Sequence, residues 1–123
     1  MSTLKVTNIQ ATGETASRAV SGVAAAWVFY TTKTTTSITD SNNVSSLSDL
    51  GTGRTEITVT NAYSSSTSYN VATFAGDQGT STAFATDVES TRNTTTFGID
   101  TRNTSNTRID CNRVSATTHG DLA

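Results

Sequence analysis

The two side chains best suited to nucleophilic or acid–base chemistry, Cys111 and His119, are also the only cysteine and the only histidine of the sequence. A thiol nucleophile needs a base within hydrogen-bond reach, and the residues around neither one carry the local pattern of a Cys–His hydrolase. Cys111 follows Ile109 at strand spacing, which points to a buried apolar role. His119 stands close to the C-terminal end and reads as a surface residue. One thiol and one imidazole are too few for a metal site, which needs several convergent ligands. The motifs G-x-S-x-G, H-E-x-x-H and the P-loop are all missing. Gly51-Thr52-Gly53 begins a phosphate-binding pattern, but Glu56 stands where the third glycine belongs, and a hairpin turn accounts for it. Asp40-Ser41-Asn42 opens like a calcium loop, yet Ser45 replaces its central glycine and Gly51 its closing glutamate. The remaining carboxylates are scattered, with no pair set apart for glycoside hydrolysis. The expectation is a protein without catalysis, cofactor or metal.

Binding is the chemistry that remains. Trp27, Phe29 and Tyr30 cluster in one segment, where core packing is the default for such large side chains. A carbohydrate-stacking platform is the alternative, and apolar groups on both sides of the strand argue against it. Tyr63 and Tyr69 bracket the serine-rich segment Ser64-Ser65-Ser66 and are the better candidates for an exposed receptor or partner contact.

The elements that must position these groups are β. The chain has 123 residues, enough for one domain with a short arm. Only 33% of it is apolar and 15% charged, while Ser and Thr fill 44 positions. Threonine suits a pleated surface, because its branched Cβ packs and its hydroxyl meets water. Met1 to Gln10 reads as an extended arm with Leu4, Val6 and Ile9 as its anchoring apolar residues. Residues 14–23 are ambiguous: Ala16, Val20, Val23 and Trp27 fall at helical spacing, while Ser17, Ser21 and Gly22 disfavour a helix interior. A short helix and an irregular linker both fit. The arm and linker thus occupy residues 1–23 and a β-domain residues 24–123.

Within that domain Ala24 to Tyr30 alternates with apolar groups on both sides, as in a strand covered on two faces. Val44–Leu50 and Arg54–Thr60 flank Gly51-Thr52-Gly53, a hairpin signal. Tyr69–Ala75 follows, with Tyr69 and Val71 opposing Ala72 and Phe74, and then a weaker strand from Thr82 to Val88. Thr91-Arg92-Asn93-Thr94 returns as Thr101-Arg102-Asn103-Thr104, each copy closing on Ile-Asp, which reads as two consecutive strands of one sheet. The predicted class is all-β, an antiparallel sandwich or barrel-like domain with a short N-terminal extended arm.

Thin apolar content and one cysteine leave assembly as the natural source of extra stability. The formal charge is −2 with scattered Lys and Arg, so neither a nucleic-acid stripe nor a polybasic lipid-binding run is visible. The longest apolar run, Val23 to Tyr30, is far short of the ~20 residues that cross a bilayer. No charged segment followed by an apolar stretch marks a secretory signal.

The opening Met1-Ser2-Thr3-Leu4-Lys5-Val6-Thr7-Asn8-Ile9-Gln10 resembles a leader of small virion and tail-fibre proteins from marine and cyanobacterial phages. Those proteins continue with an A-x-A-W-V strand, an N-V-S-S segment and a G-T-G turn, matched by Ala24–Val28, Asn43–Ser46 and Gly51–Gly53. The likeness covers roughly the first half. It departs after Val28, where the family runs N-F-x-G-T-G and this chain has Phe29-Tyr30-Thr31-Thr32-Lys33. The resemblance implies a non-enzymatic subunit on the exterior of a phage particle, made in the host cytoplasm. It would be a tail-fibre or tail-tip protein touching a host surface glycan or protein, or else a capsid decoration or head-fibre protein. It also implies a homo-oligomer, a trimer by analogy with fibres, and contacts to other virion proteins through the arm. A phage-borne polysaccharide depolymerase and a free carbohydrate-binding module are the rival classes. The first needs a carboxylate pair in a groove, the second aromatics on an open sheet face.

Overall fold

The computed structural model describes residues 4–9, 18–19, 23–76 and 82–123. Among the described residues ten strands run β1 (Asn8–Ile9), β2 (Arg18–Ala19), β3 (Ala24–Thr31), β4 (Ser37–Asn42), β5 (Val44–Asp49), β6 (Arg54–Val59), β7 (Tyr69–Gly76), β8 (Ala83–Val88), β9 (Thr96–Asn103) and β10 (Arg113–Gly120). Two four-stranded antiparallel sheets pack face to face as a β-sandwich: sheet I in the order β4-β3-β10-β7 and sheet II in the order β5-β6-β9-β8. The short pair β1–β2 stands apart as a third, two-stranded sheet. The possible helix at 14–23 lies outside the described residues except at Arg18–Ala19 and Val23, and the first two of these are strand.

The core forms where alternation sends one face of each sheet inward. Ala26, Val28 and Tyr30 of β3 meet Val114 and Ala116 of β10, with Ile57 and Val59 of β6 and Phe97 and Ile99 of β9 across the interface. Cys111 is fully buried, and its backbone exchanges hydrogen bonds with Thr32: Cys111 N donates to Thr32 Oγ1 and Thr32 N to Cys111 O, each at 2.9 Å.

Three expectations change on contact with this architecture. First, β3 is covered on one face only. Trp27 is half-buried and Phe29 is 36% exposed, both on the outer side of sheet I, where their cross-strand neighbours are Thr117 and Asn42, and Ser115 and Asp40. A two-layer sandwich has no third layer to cover that side, so apolar alternation on both faces did not mean burial on both. Second, Ser37–Asn42 is a strand that the sequence does not announce, because nearly all of it is polar and exposed. It is an edge strand, so it needs no apolar face to be held, only its pairing with β3. Third, the T-R-N-T repeat does not mark consecutive strands of one sheet. Its copies sit at the two ends of β9, and β10 belongs to the other sheet.

The repeat encodes turns instead. Asn93 Oδ1 accepts from the backbone N–H groups of Thr95 and Thr96 at 2.8 and 2.9 Å, and Asn103 Oδ1 from those of Ser105 and Thr107, both at 3.0 Å. A short amide that mimics a turn carbonyl is the reason asparagine favours such positions. In each copy the arginine reaches an aspartate, Arg92 to Asp87 and Arg102 to Asp100.

Two connections depend on residues with positive φ. Asn43 alone links β4 to β5 and carries the chain from sheet I to sheet II with φ 56°. Its amide donates to Ala25 O at 3.0 Å and its Oδ1 accepts from Asn61 N at 2.8 Å, which pins the corner. The β5–β6 hairpin turns through Gly51 (φ 109°) and Gly53 (φ 67°). At Gly53 an added Cβ would lie 2.6 Å from Thr101 O and 2.9 Å from Arg108 Cβ. Gly53→Ala should therefore cost about 2–3 kcal/mol from strained φ and overpacking, read as a lower urea midpoint. An unchanged midpoint would show that the turn relaxes freely.

Candidate cleft at the β7–β8 edge

Tyr63 and Tyr69 are not the exposed contacts that their serine-rich surroundings predict. They are 1% and 4% exposed and stack on each other with ring centroids 3.8 Å apart. Tyr63 Oη and Thr118 Oγ1 are 2.6 Å apart, and Tyr69 Oη donates to Asn93 O and Thr96 O at 2.9 and 3.1 Å. The Arg92 guanidinium lies 4.8 Å above the Tyr69 ring. Polar neighbours in sequence drew the pair outward on paper; partners for each phenol oxygen draw it inward in the fold. Burial pushes the Tyr63 phenol up, and pushes Tyr69 up to about 12 against the opposing charge of Arg92.

Leu4 and Val6 are 84% and 45% exposed. Ile9 closes β1 and pairs with Arg18. His119 lies on the outer face of sheet I beside Asn70, and Asp40, Ser41 and Asn42 lie within β4. Among the described residues no three His, Cys, Asp or Glu side chains converge as metal ligands.

The exposed aromatic surface is elsewhere, at the edge where the two sheets meet. Phe74 of β7 is 74% exposed and Phe84 of β8 is 52% exposed. Both line an open cleft of about 560 Å³ with Thr73, Gly76 and Ala83. Thr73 Oγ1 donates to Ala85 O at 2.8 Å across the seam, holding the two edges together beneath the rings. On its other side Phe84 lines a second cleft of about 450 Å³ with Thr86, Arg102, Asn103 and Asn106. Phe84 and Arg102 are directly paired in register, so their side chains share one face.

Arg102 belongs to an unusual cluster. Three of the eight cationic residues surround Asp100: Arg102 Nη2 at 2.8 Å and Arg108 Nη2 at 3.0 Å on Oδ2, and Arg54 Nε at 3.3 Å from Oδ1. Arg102 also donates to Asn106 O at 3.2 Å, and Asn106 holds φ 61° in the turn after β9. Asp100 is 5% exposed. Burial alone would raise its carboxyl pKa; hydrogen bonds and charge from Arg102 and Arg108 override that and leave it below the usual carboxylate range. Formally the four side chains sum to +2 in a chain whose net charge is −2. The arginine side chains are 34%, 30% and 42% exposed, so that charge reaches solvent.

Sequence reasoning missed this constellation. Phe74 was placed on the face opposite Tyr69, and with Tyr69 expected outside, its own exposure went unread. The three arginines were not legible together, since they are spread over the β5–β6 turn, the end of β9 and the loop beyond it. Chemically the edge offers rings, amides, hydroxyls and excess positive charge, which is equipment for binding. Comparison with protein-family models, with curated proteins and with solved structures finds no match to this chain.

Proposed function

We propose that this chain is a non-enzymatic exterior subunit of a bacteriophage particle, a tail-fibre or tail-tip component that contributes to attachment to the host surface. The observation that carries the reading is the resemblance in the leader, the A-A-A-W-V strand, the N-V-S-S segment and the G-T-G turn. Those segments fall on connected parts of the fold: β3, the corner at Asn43 with the start of β5, and the β5–β6 turn. The exposed arm around Leu4 and Val6 supports anchoring on a neighbouring virion protein, in the manner of an extended segment added to another chain's sheet. An oligomer, with a trimer favoured by analogy to fibres, multiplies weak surface contacts into useful avidity.

Immunogold labelling of intact particles, followed by density for the labelled structure, tests this. Label at the distal tail is expected; label on the head would instead favour a capsid decoration or head-fibre protein, and a particle lacking the chain would overturn both. Deleting residues 2–10 should reduce incorporation into the particle severalfold while leaving the melting temperature of the β-domain nearly unchanged. Equal incorporation without the arm would defeat the anchoring role.

A further inference from the structure

The β8 cleft carries an inference about what such a particle would touch. We infer that Phe84, Arg102, Asn103 and Asn106, with Arg54 and Arg108 beside them, form a binding site for a carboxylate-bearing polysaccharide of the host surface. The inference rests on the attachment reading above and gives it a site and a ligand chemistry.

The face is assembled from strand register. Phe84 and Thr86 on β8 lie beside Arg102 and Asp100 on β9, and Asp100 lies beside Arg54 on β6. The Phe84 ring and the Arg102 guanidinium are therefore on neighbouring residues about 5 Å apart across strands, and Asn103 and Asn106 line the same cleft. A pyranose ring presents an apolar C–H face, which an exposed aromatic ring covers, and a rim of hydroxyls, which amides and short hydroxyl side chains meet. A uronate adds a planar carboxylate, the group a guanidinium fork recognises best.

Charge decides between occupants. The three arginines already hold one carboxylate, that of Asp100, and they outnumber it. Arg102 spends its remaining contacts on Asn106, whereas Arg108 and Arg54 keep terminal nitrogens without a hydrogen bond among the described residues. A neutral glycan would leave those donors to water. A second copy of the chain would bring the same positive patch toward itself if it docked isologously. The outer face of sheet I also shows rings, Trp27 and Phe29, but pairs them with Ser115, Thr117, Asn42 and the acidic Asp40, and gathers no such positive charge. It is the built-in comparison.

The turn that carries Asn103 and Asn106 is fixed before any ligand arrives. Asn106 N donates to Asn103 O at 3.0 Å and Asn103 N to Thr107 O at 2.9 Å. A preorganised site loses less on binding than a mobile one.

The test uses the full chain with alginate oligosaccharides as the polyuronate probe and dextran oligosaccharides of equal length as the neutral one, measured by calorimetry. Alginate should bind and dextran should not. Phe84→Ala and Arg108→Gln should each weaken alginate binding by about tenfold or more, and raising salt from about 50 to about 500 mM should weaken it as strongly. Phe29→Ala, on the outer face of sheet I, should leave it unchanged. Phe84→Ala, which removes an exposed ring, should melt like the parent and keeps the test clear of folding, while Arg108→Gln, which takes two hydrogen bonds from Asp100, is measured well below its own lower melting temperature. Equal affinity for dextran, salt-independent binding, or loss on Phe29→Ala but not Phe84→Ala would overturn the site. Failure here with the chain still labelled on the particle tail would reject the ligand and leave the attachment reading standing; absence from the particle rejects that reading whatever the sugar does.

Discussion

Tyr69→Ala should lower stability by about 3–5 kcal/mol, a large part of what a small domain has in total, and leave the protein largely unfolded at moderate urea. The tyrosine is the hinge of the core at the β7 end. It stacks on Tyr63 at 3.8 Å, lies 6.3 Å from Phe97, and is capped by Arg92. Arg92 Nη1 also donates to Tyr69 O at 3.0 Å, so the cap is tied to the backbone it covers. Tyr69→Phe separates packing from polarity. It keeps the ring and removes the donor to Asn93 O and Thr96 O, a loss of about 1–2 kcal/mol. The raised pKa gives an independent signature. Tyr69 ionises near 10 in the unfolded chain and at about 12 in the folded one. Its contribution is complete below pH 10 and is lost as pH rises from there through about 12. Denaturant titrations across that range should show the parent weakening more steeply than Tyr69→Phe. A Tyr69→Ala variant melting within a few degrees of the parent would show that the stack is incidental.

The second large effect is electrostatic. Asp100→Asn keeps the side-chain shape and removes the charge that three guanidinium groups share. Breaking a fully buried pair costs about 3–5 kcal/mol. These arginines are about a third exposed and water screens them, so about 2–3 kcal/mol is expected at neutral pH. Added salt should return part of it, because the residual repulsion is screened. The sign with pH follows from the depressed carboxyl. The stabilisation is present above the unfolded-state pKa of about 3.9 and disappears as pH falls through the lower folded-state value. The difference between parent and Asp100→Asn should therefore shrink below about pH 4. A difference that holds constant into strong acid would mean that packing, not charge, is what Asp100 supplies.

These two sites show what was readable in the chain and what was not. The hairpin at Gly51–Gly53, the alternation of Arg54–Val59 and the strand from Tyr69 are local patterns, and they appear as β5–β6 and β7. The all-β class followed from them. Exposure did not follow from polarity nearby: the serines around Tyr63 cap a turn, with Ser68 Oγ donating to Ser65 O at 2.9 Å, while the rings point the other way. β4 carries no apolar period to detect. Asp100 and its arginines come together only through the register of β6 against β9 and the return of the loop after it. Which pairs meet across strands is a property of the assembled sheets, and local spacing has no access to it.

One consequence of the strand order concerns timing. The central pair of sheet I joins β3 to β10, so Tyr30 faces Val114 and Trp27 faces Thr117. The first long strand of the sandwich waits for the last. Contacts so distant along the chain slow folding, since the loop must close before the pairing rewards it. A nascent chain emerging from the ribosome can form the β5–β6 hairpin early, but one edge of β3 stays unpaired until β10 has been made. A product ending before Arg113 would lack the strand that pairs with Val28 and Tyr30 and joins β3 to β7, leaving sheet I incomplete. The topology thus lets the sandwich close only once β10 is in place.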